Sequence, residues 1–526
     1  MTCRHSLCLN LLRLLCFICN FCVATSALSC NIILSDPVDG QRDVAVNHNI
    51  VLIVEKNFSE SCPIKITTSD GKSVIPVTVL YSSPVVKEKD VSRQIVVARP
   101  KSLLWSPGGN YVVSVSAKSS VISFSADKSA HDIEGRLSSV VDNPIQFSPW
   151  RNRKFIAASD INDSLGVFLD LKLGQDPGPR IKEFLSKQLH VSFPNFSSAK
   201  SRYGVRIGKI YFYSFIPGGR KEKFSALLVY PVAEKLDYKK SGIVLFDTRS
   251  RSHYQPSSAD NYISWLGSVI ASKGYVFVSP DAWDNMSSDI SADAYPFYYA
   301  KKNIDLVEAT REFFLNTYSS DLKDKSILVG SFDGGRDVID TLLLSSILSY
   351  RMPSIVMSDS SAYDLSSYFS PILSCSDSYS HNIPKDLLSN LSYIVYSYSH
   401  YWDLYSYLGN IFSLEKGLIF NEPRLCKQFS DYLQLMSPSH QSWTMHANGT
   451  EVYLYQHPLD DTLPANNSLE LSSSLMNGGK FKFITHSPCD KKSFSAIMRS
   501  GAVTSHSACG FFMFDDLLHL LSTGNA

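Results

Sequence analysis

The sequence predicts an α/β protein, a doubly wound sheet preceded by a small all-β sandwich, and three observations carry that reading. From Cys30 to about Ala117, short runs of period-two alternation such as Ile50 to Val54, Ile95 to Ala98 and Tyr111 to Val115 are separated by turn clusters. After Tyr203, strands that are apolar throughout alternate with helix-length segments, which implies a parallel sheet covered on both faces. Between the two, Tyr203 to Phe215, a Pro217-Gly218-Gly219 turn and Phe224 to Tyr230 read as an antiparallel hairpin at the front edge of that sheet.

The chain has 526 residues, which suggests more than one domain, roughly two to four. A hydrophobic fraction of 44%, a charged fraction of 19% and a net charge of +1 describe a globular protein and exclude a disordered one. With no basic run, a nucleic-acid partner is not expected. Residues 1–27 read as a secretory signal peptide: Arg4 and His5 precede an apolar stretch from about Leu7 to Val23, and small residues follow at Ala24, Ser26 and Ala27. A membrane anchor is the alternative, but the apolar part after Arg13 is too short for a span of about 30 Å, and no later segment reaches about 18 apolar residues. No integral membrane segment is therefore expected after signal removal, and the protein is expected to be secreted or at the cell surface.

Of 11 cysteines, five lie in the signal, and 11 minus 5 leaves six, an even number that suits disulfides. Proximity suggests Cys30 with Cys62, Cys375 with Cys426 and Cys489 with Cys509, although six cysteines allow 15 connectivities and free thiols remain an alternative. Sequons at Asn57, Asn162, Asn195, Asn285, Asn390, Asn448 and Asn466 agree with a secretory route and a glycoprotein.

The sandwich is read over 30–117. It contains Ser35-Asp36-Pro37-Val38-Asp39-Gly40 leading into Val44-Ala45-Val46-Asn47, and later Leu103-Leu104-Trp105-Ser106-Pro107-Gly108-Gly109-Asn110-Tyr111. These motifs resemble the bacterial-type Ig-like domain of S-layer and other surface proteins, a resemblance that implies an adhesive or spacer module. Residues 118–201 read as a linker, serine-rich near Ser119 to Ser129, with a short amphipathic helix from Arg180 to Leu189.

In the large domain, 202–526, Gly242 to Phe246, Tyr275 to Ser279 and Ser326 to Gly330 read as buried strands. The helices between and after them are Asp260 to Lys273, Tyr295 to Thr317 and Asp333 to Ser349. Four stretches then become specific. Gly274-Tyr275-Val276-Phe277-Val278-Ser279-Pro280-Asp281 is followed by Gly330-Ser331-Phe332-Asp333-Gly334-Gly335, by Gln456-His457-Pro458-Leu459-Asp460-Asp461, and by Ser505-His506-Ser507-Ala508 ahead of the apolar Phe511 to Leu521. Together they resemble the α/β-hydrolase superfamily, in particular its secreted lipase and esterase-like branch, over about 320 residues. The resemblance implies a nucleophile elbow at residue 332, a triad acid at Asp460 or Asp461, and a triad histidine at His506 or, alternatively, at His486. It also implies a cap, the tyrosine-rich insertion of about 360–440, whose aromatic stripe Tyr396, Tyr398, Tyr401, Trp402, Tyr405 and Tyr407 suits a core or an interface.

The elbow departs from the family. In an active member a serine sits on the strained turn between small residues, and here Gly330 and Gly334 are present but Phe332 stands between them. A benzyl group has no lone pair to attack a carbonyl and no proton to give to a histidine. Shifting the register by one makes Asp333 a candidate carboxylate nucleophile, and Ser331 a weaker one because Asp333 would crowd the turn. The loop Asp247-Thr248-Arg249-Ser250-Arg251-Ser252-His253 also lacks the glycine that brings oxyanion donors close. The expectation is a non-catalytic pseudoenzyme with a binding or adhesion role, and the alternative is an active lipase or esterase-like hydrolase. No P-loop, no H-E-x-x-H and no paired C-x-x-C occurs in the mature chain, so no cofactor and no metal are expected. The expected partner is an extracellular or vacuolar protein or a lipid-like ligand.

Overall fold

The computed structural model describes residues 30–57, 62–88, 91–102, 104–115, 121–128, 137–142, 155–163, 195, 200–216, 220–234, 236–248, 262–281, 297–370, 423–441, 443, 449–457, 460, 462–463, 466–478, 482–483, 487–489 and 509–523. The signal segment, the helix read at Arg180 to Leu189, the 217–219 turn and the middle of the cap insertion lie outside them.

Ten strands form the N-terminal part: β1 (Asn31–Asp36), β2 (Gln41–Val44), β3 (Ile50–Asn57), β4 (Lys65–Thr68), β5 (Val74–Ile75), β6 (Val77–Ser82), β7 (Val86–Glu88), β8 (Val91–Pro100), β9 (Asn110–Ser114) and β10 (Val121–Ala126). One sheet runs β1-β3-β8-β6, with β7 also on β8, and the other runs β2-β10-β9-β4-β5. Alternation places Ile50, Leu52 and Val54 of the first sheet in one cluster with Ile66, Val113, Ile122 and Phe124 of the second. Trp105 closes this core: its ring lies 4.9 Å from Tyr111 and 5.2 Å from Phe124, and its indole N–H donates to the His48 carbonyl at 2.8 Å.

Two boundaries differ from the sequence reading. Val121-Ile122-Ser123-Phe124-Ser125-Ala126, part of the expected linker, is strand β10: Ile122, Phe124 and Ala126 are buried while the intervening side chains face outward. Serine here marks the solvent face of a period-two strand, not a flexible connector. Farther on, β11 (Leu137–Asp142) and β12 (Phe155–Ile156) pair with the large sheet.

That sheet continues with β13 (Gly204–Ile216), β14 (Arg220–Val232), β15 (Ile243–Asp247), β16 (Val276–Pro280), β17 (Ser326–Ser331), β18 (Ile355–Asp359), β19 (Glu451–Gln456), β20 (Lys482–Phe483) and β21 (Ser487–Pro488). Its order is β13-β14-β16-β15-β17-β18-β19, with β20 and β21 both on β19. β13 and β14 form the expected hairpin, in continuous register from Gly204↔Val232 to Ile216↔Arg220. β14 is antiparallel to β16, and every pairing from β16 onward is parallel. An antiparallel hairpin followed by parallel strands in the order 1-2-4-3-5-6-7 is the α/β-hydrolase fold.

Besides a short helical turn at Ala158–Asn162, the helices among the described residues that follow β14 are α1 (Tyr262–Ala271), α2 (Tyr298–Tyr318), α3 (Asp333–Leu348), α4 (Leu365–Phe369), α5 (Pro423–Leu435), α6 (Asn467–Gly478) and α7 (Cys509–Thr523). One face of the sheet is covered by α2 and α3 through residues such as Leu306, Phe314, Leu342 and Leu343. The other is covered by α1 and α7 through Leu266, Ile270, Phe514 and Leu518. No described helix is long and apolar enough to cross a membrane.

The N-terminal sheets are not suspended from this domain as a spacer. The outer face of the β1-β3-β8-β6 sheet, with Leu34, Val51, Ile53, Ile95 and Val97, belongs to the same core as Leu344 and Leu348 of α3. Tyr81 donates its hydroxyl to Gln441 Oε1 at 2.8 Å, and the Arg93 guanidinium joins Glu55 of its own sheet (2.7 Å) to Asp431 of α5 (2.9 Å). The physical reason is that both faces of this sheet are apolar, so both need cover. Cysteine pairs occur at Cys30–Cys62 and Cys489–Cys509, whereas Cys375 lies outside the described residues.

Candidate functional site

The site is built where the parallel strands end. β17 closes at Ser331 and α3 begins at Asp333, so Phe332 alone makes the turn between strand and helix. Its backbone sits at φ 56° and ψ −129°, a region that residues with a Cβ avoid. A turn this tight works only because of its glycines. A Cβ on Gly330 would collide with the Gly334 carbonyl, and one on Gly334 would collide with the carbonyl of Asp247 at the end of β15. Three hydrogen bonds hold the apex: the Phe332 amide donates to the Asp359 carbonyl at 3.0 Å, the Gly335 amide donates back to the Phe332 carbonyl at 3.0 Å, and the Ser361 hydroxyl donates to that same carbonyl. The Phe332 side chain is half-buried.

Asp333 is the first residue of α3, in its first turn, and not the apex. A carboxylate there is favourably placed against the helix dipole. The hydroxyl of Ser331 is buried and donates to Asp359 Oδ2 at 3.1 Å.

Asp460 follows β19 by four residues. Its Oδ1 accepts the amides of Thr462 (2.8 Å) and Leu463 (3.0 Å), so the carboxylate orders its own turn. His506, His486 and Asp461 lie outside the described residues, as do Arg249 to His253 of the expected oxyanion loop.

Three further carboxylates at the strand ends were not singled out from sequence. Asp247 accepts the Asn303 amide at 2.9 Å, and Asp281 accepts the Ser225 hydroxyl at 2.6 Å and faces Lys209 Nζ at 3.3 Å. Asp359, only 1% exposed, pairs in register with Ser331 and accepts hydroxyls from Ser331 and, at 2.7 Å, from Ser360. A Cβ on Gly510 would lie 3.1 Å from Asp359 Oδ2, so this carboxylate faces the first turn of α7, where the helix dipole favours negative charge. Ser360, like Phe332, has a positive φ, 50°. The available signal was the recurrence of Asp at the end of an apolar run: Phe246-Asp247, Pro280-Asp281 and Ser358-Asp359.

From the apex a chain of polar contacts leads away toward α4 and His440. Ser361 accepts at its carbonyl from the Asn467 amide, whose Oδ1 accepts the backbone amides of Tyr363 (2.7 Å) and Asp364 (3.2 Å). Asp364 in turn meets His440 Nε2 at 3.2 Å and caps α4 by accepting the amides of Ser366 and Ser367. Burial alone would raise the Asp364 carboxyl, but the hydrogen bonds from His440, Ser366 and Ser367 outweigh it and hold the group well below the usual carboxylate range. Among the described residues, no three His, Cys, Asp or Glu side chains gather as a metal site.

No family profile and no curated protein matches the chain. Solved structures do. A protein of Legionella pneumophila described as a hydrolase is 15% identical, with 74% of this chain and 98% of that one covered and a TM-score of 0.48. The rice cell wall degrading esterase LipA from Xanthomonas oryzae, in a ligand-bound form, is 13% identical, with 75% and 100% covered and a TM-score of 0.49. An esterase of the archaeon Pyrobaculum calidifontis is 12% identical, with 68% and 98% covered and a TM-score of 0.34.

Proposed function

We propose that this chain is a non-catalytic α/β-hydrolase-fold protein, exported and used for binding, in which Phe332 occupies the nucleophile position. The observation that carries the reading is the backbone of residue 332, a strained strand-to-helix apex with glycines two before and two after it. Catalysis by acyl transfer needs a nucleophile at that apex, and a benzyl group supplies none. The neighbouring hydroxyls do not replace it. Ser331 and Ser361 are buried and donate to acceptors of the protein itself, and Asp333 is the first residue of the helix, one position past the apex.

In this reading Asp460 and His506 are the acid and base left over from a triad, the insertion is a cap over a binding crevice, and the N-terminal strands are an Ig-like module fused to the rear of that crevice. The decisive experiment is labelling with a fluorophosphonate probe together with p-nitrophenyl ester turnover. No serine adduct and no turnover are expected. Turnover that disappears in Asp333→Asn or His506→Ala would establish an enzyme instead.

A further inference from the structure

A second site lies at the other end of the sheet from Phe332. Here the last residues of β14, a 3-10 turn over Tyr238–Lys240 and the C-terminal end of α2 border an open cleft of about 510 Å³, within the range of small-molecule sites. Its chemistry is unlike a random patch of surface. Tyr238 and Tyr318 form an aromatic wall with ring centroids 4.7 Å apart, backed by Phe314 at 4.9 Å from Tyr238. The Tyr238 hydroxyl is spent on the Pro231 carbonyl (2.8 Å), and that of Tyr318 lies 3.4 Å from Tyr230, so what these residues offer a ligand is ring surface. Burial pushes the phenols of Tyr230 and Tyr238 far above their ordinary range, which keeps them uncharged.

Around the wall stand two cations, Arg206 and Lys239, and two carboxylates, Glu234 and Asp237. Asp237 is already committed, accepting the Lys239 amide at 3.2 Å and meeting Lys240 at 3.7 Å. Glu234 and the Lys239 ammonium have no ion-pair partner among the described residues. Arg206 contacts the Tyr230 hydroxyl and brings an exposed guanidinium, a group of five donors, to the cleft lining. The carbonyl end of the 21-residue helix α2 adds partial negative charge beside Tyr318.

A cleft with both signs of charge discriminates against a simple anion or cation and suits a dipolar ligand. Ring faces, a carboxylate and a helix C-terminus all attract a poorly hydrated cation such as a quaternary ammonium. Arginine and lysine attract phosphate. We propose that this cleft binds a zwitterion of the phosphocholine type, with the trimethylammonium against Tyr238, Tyr318 and Glu234 and the phosphate on Arg206 and Lys239.

The test is calorimetric titration of the full-length protein with free phosphocholine in the millimolar range, alongside co-sedimentation with phosphatidylcholine vesicles, which separates a soluble ligand from a lipid headgroup. Saturable binding of either source is expected, weakened about tenfold in Tyr318→Ala and in Arg206→Gln, with choline and inorganic phosphate each binding more weakly than phosphocholine. Circular dichroism on both variants checks that they fold. Absence of binding to both sources, or binding that neither variant weakens, overturns the proposal. Because the cleft and the elbow sit at opposite ends of the sheet, esterase activity or its absence does not bear on the outcome.

Discussion

The amide of Phe332 donates to the carbonyl of Asp359 across the ends of β17 and β18, at 3.0 Å, and so ties the elbow apex to the neighbouring strand. The bond holds residue 332 in a conformation that costs about 1 to 3 kcal/mol for a side chain with a Cβ. Glycine escapes that cost and alanine does not. Phe332→Gly should therefore be more stable than Phe332→Ala by about 1 kcal/mol, read as the difference in urea midpoint between the two variants. Equal midpoints, or a more stable alanine variant, would remove strain from the account of this turn.

The elbow also depends on the absence of a side chain at residue 334. Gly334→Ala should cost about 2 to 3 kcal/mol, because the added methyl meets the Asp247 backbone, which cannot move without breaking its place in the sheet. Thermal melting of the variant checks this.

Arg93 connects the N-terminal sheets to helix α5 through two carboxylates, and both Arg93 and Asp431 are nearly buried. Arg93→Ala leaves the buried Asp431 carboxylate with the half-exposed Lys427, at 3.1 Å, in place of a buried guanidinium and should cost about 2 kcal/mol, with little sensitivity to salt. Since the sheets share an apolar core with α3, calorimetry of the native chain should show the two parts melting together. Two separate transitions would mean that the front sheets are an independent bead.

Asp364 predicts a pH dependence. Its folded value is depressed, so its contribution is complete above the unfolded value near pH 4 and is lost as pH falls through that region toward the folded value. Glu470 has the opposite sign. Burial first, and then the neighbouring Asp364, raise its carboxyl, so its ionisation disfavours the fold as pH rises through that raised value. Asp364→Asn should lower stability at neutral pH and flatten its decline below about pH 4, whereas Glu470→Gln should raise stability slightly at neutral pH. Urea midpoints measured against pH separate the two effects.

Much of this architecture is legible in the chain because it is locally encoded. The parallel strands announce themselves as unbroken apolar runs: Ile243–Asp247, Val276–Pro280 and Ser326–Ser331 fall within a residue of where periodicity puts them. The elbow is equally local, since the demand for small residues on either side of residue 332 is written into Gly330 and Gly334. Where local pattern misleads is Val121–Ala126, whose serines suggest a connector until the pairing partner β9 shows which face they occupy.

By itself, then, the sequence determined the strand-helix alternation, the front-edge hairpin and the identity of the side chain at the elbow, because each is a property of neighbours along the chain. Only the tertiary structure decided the positive φ of Phe332, the buried carboxylate of Asp359 beneath it, and the seating of the front sheets on α3 and α5. These depend on contacts such as Tyr81 with Gln441, 360 residues apart, and burial between segments so distant is set by packing that no local periodicity records.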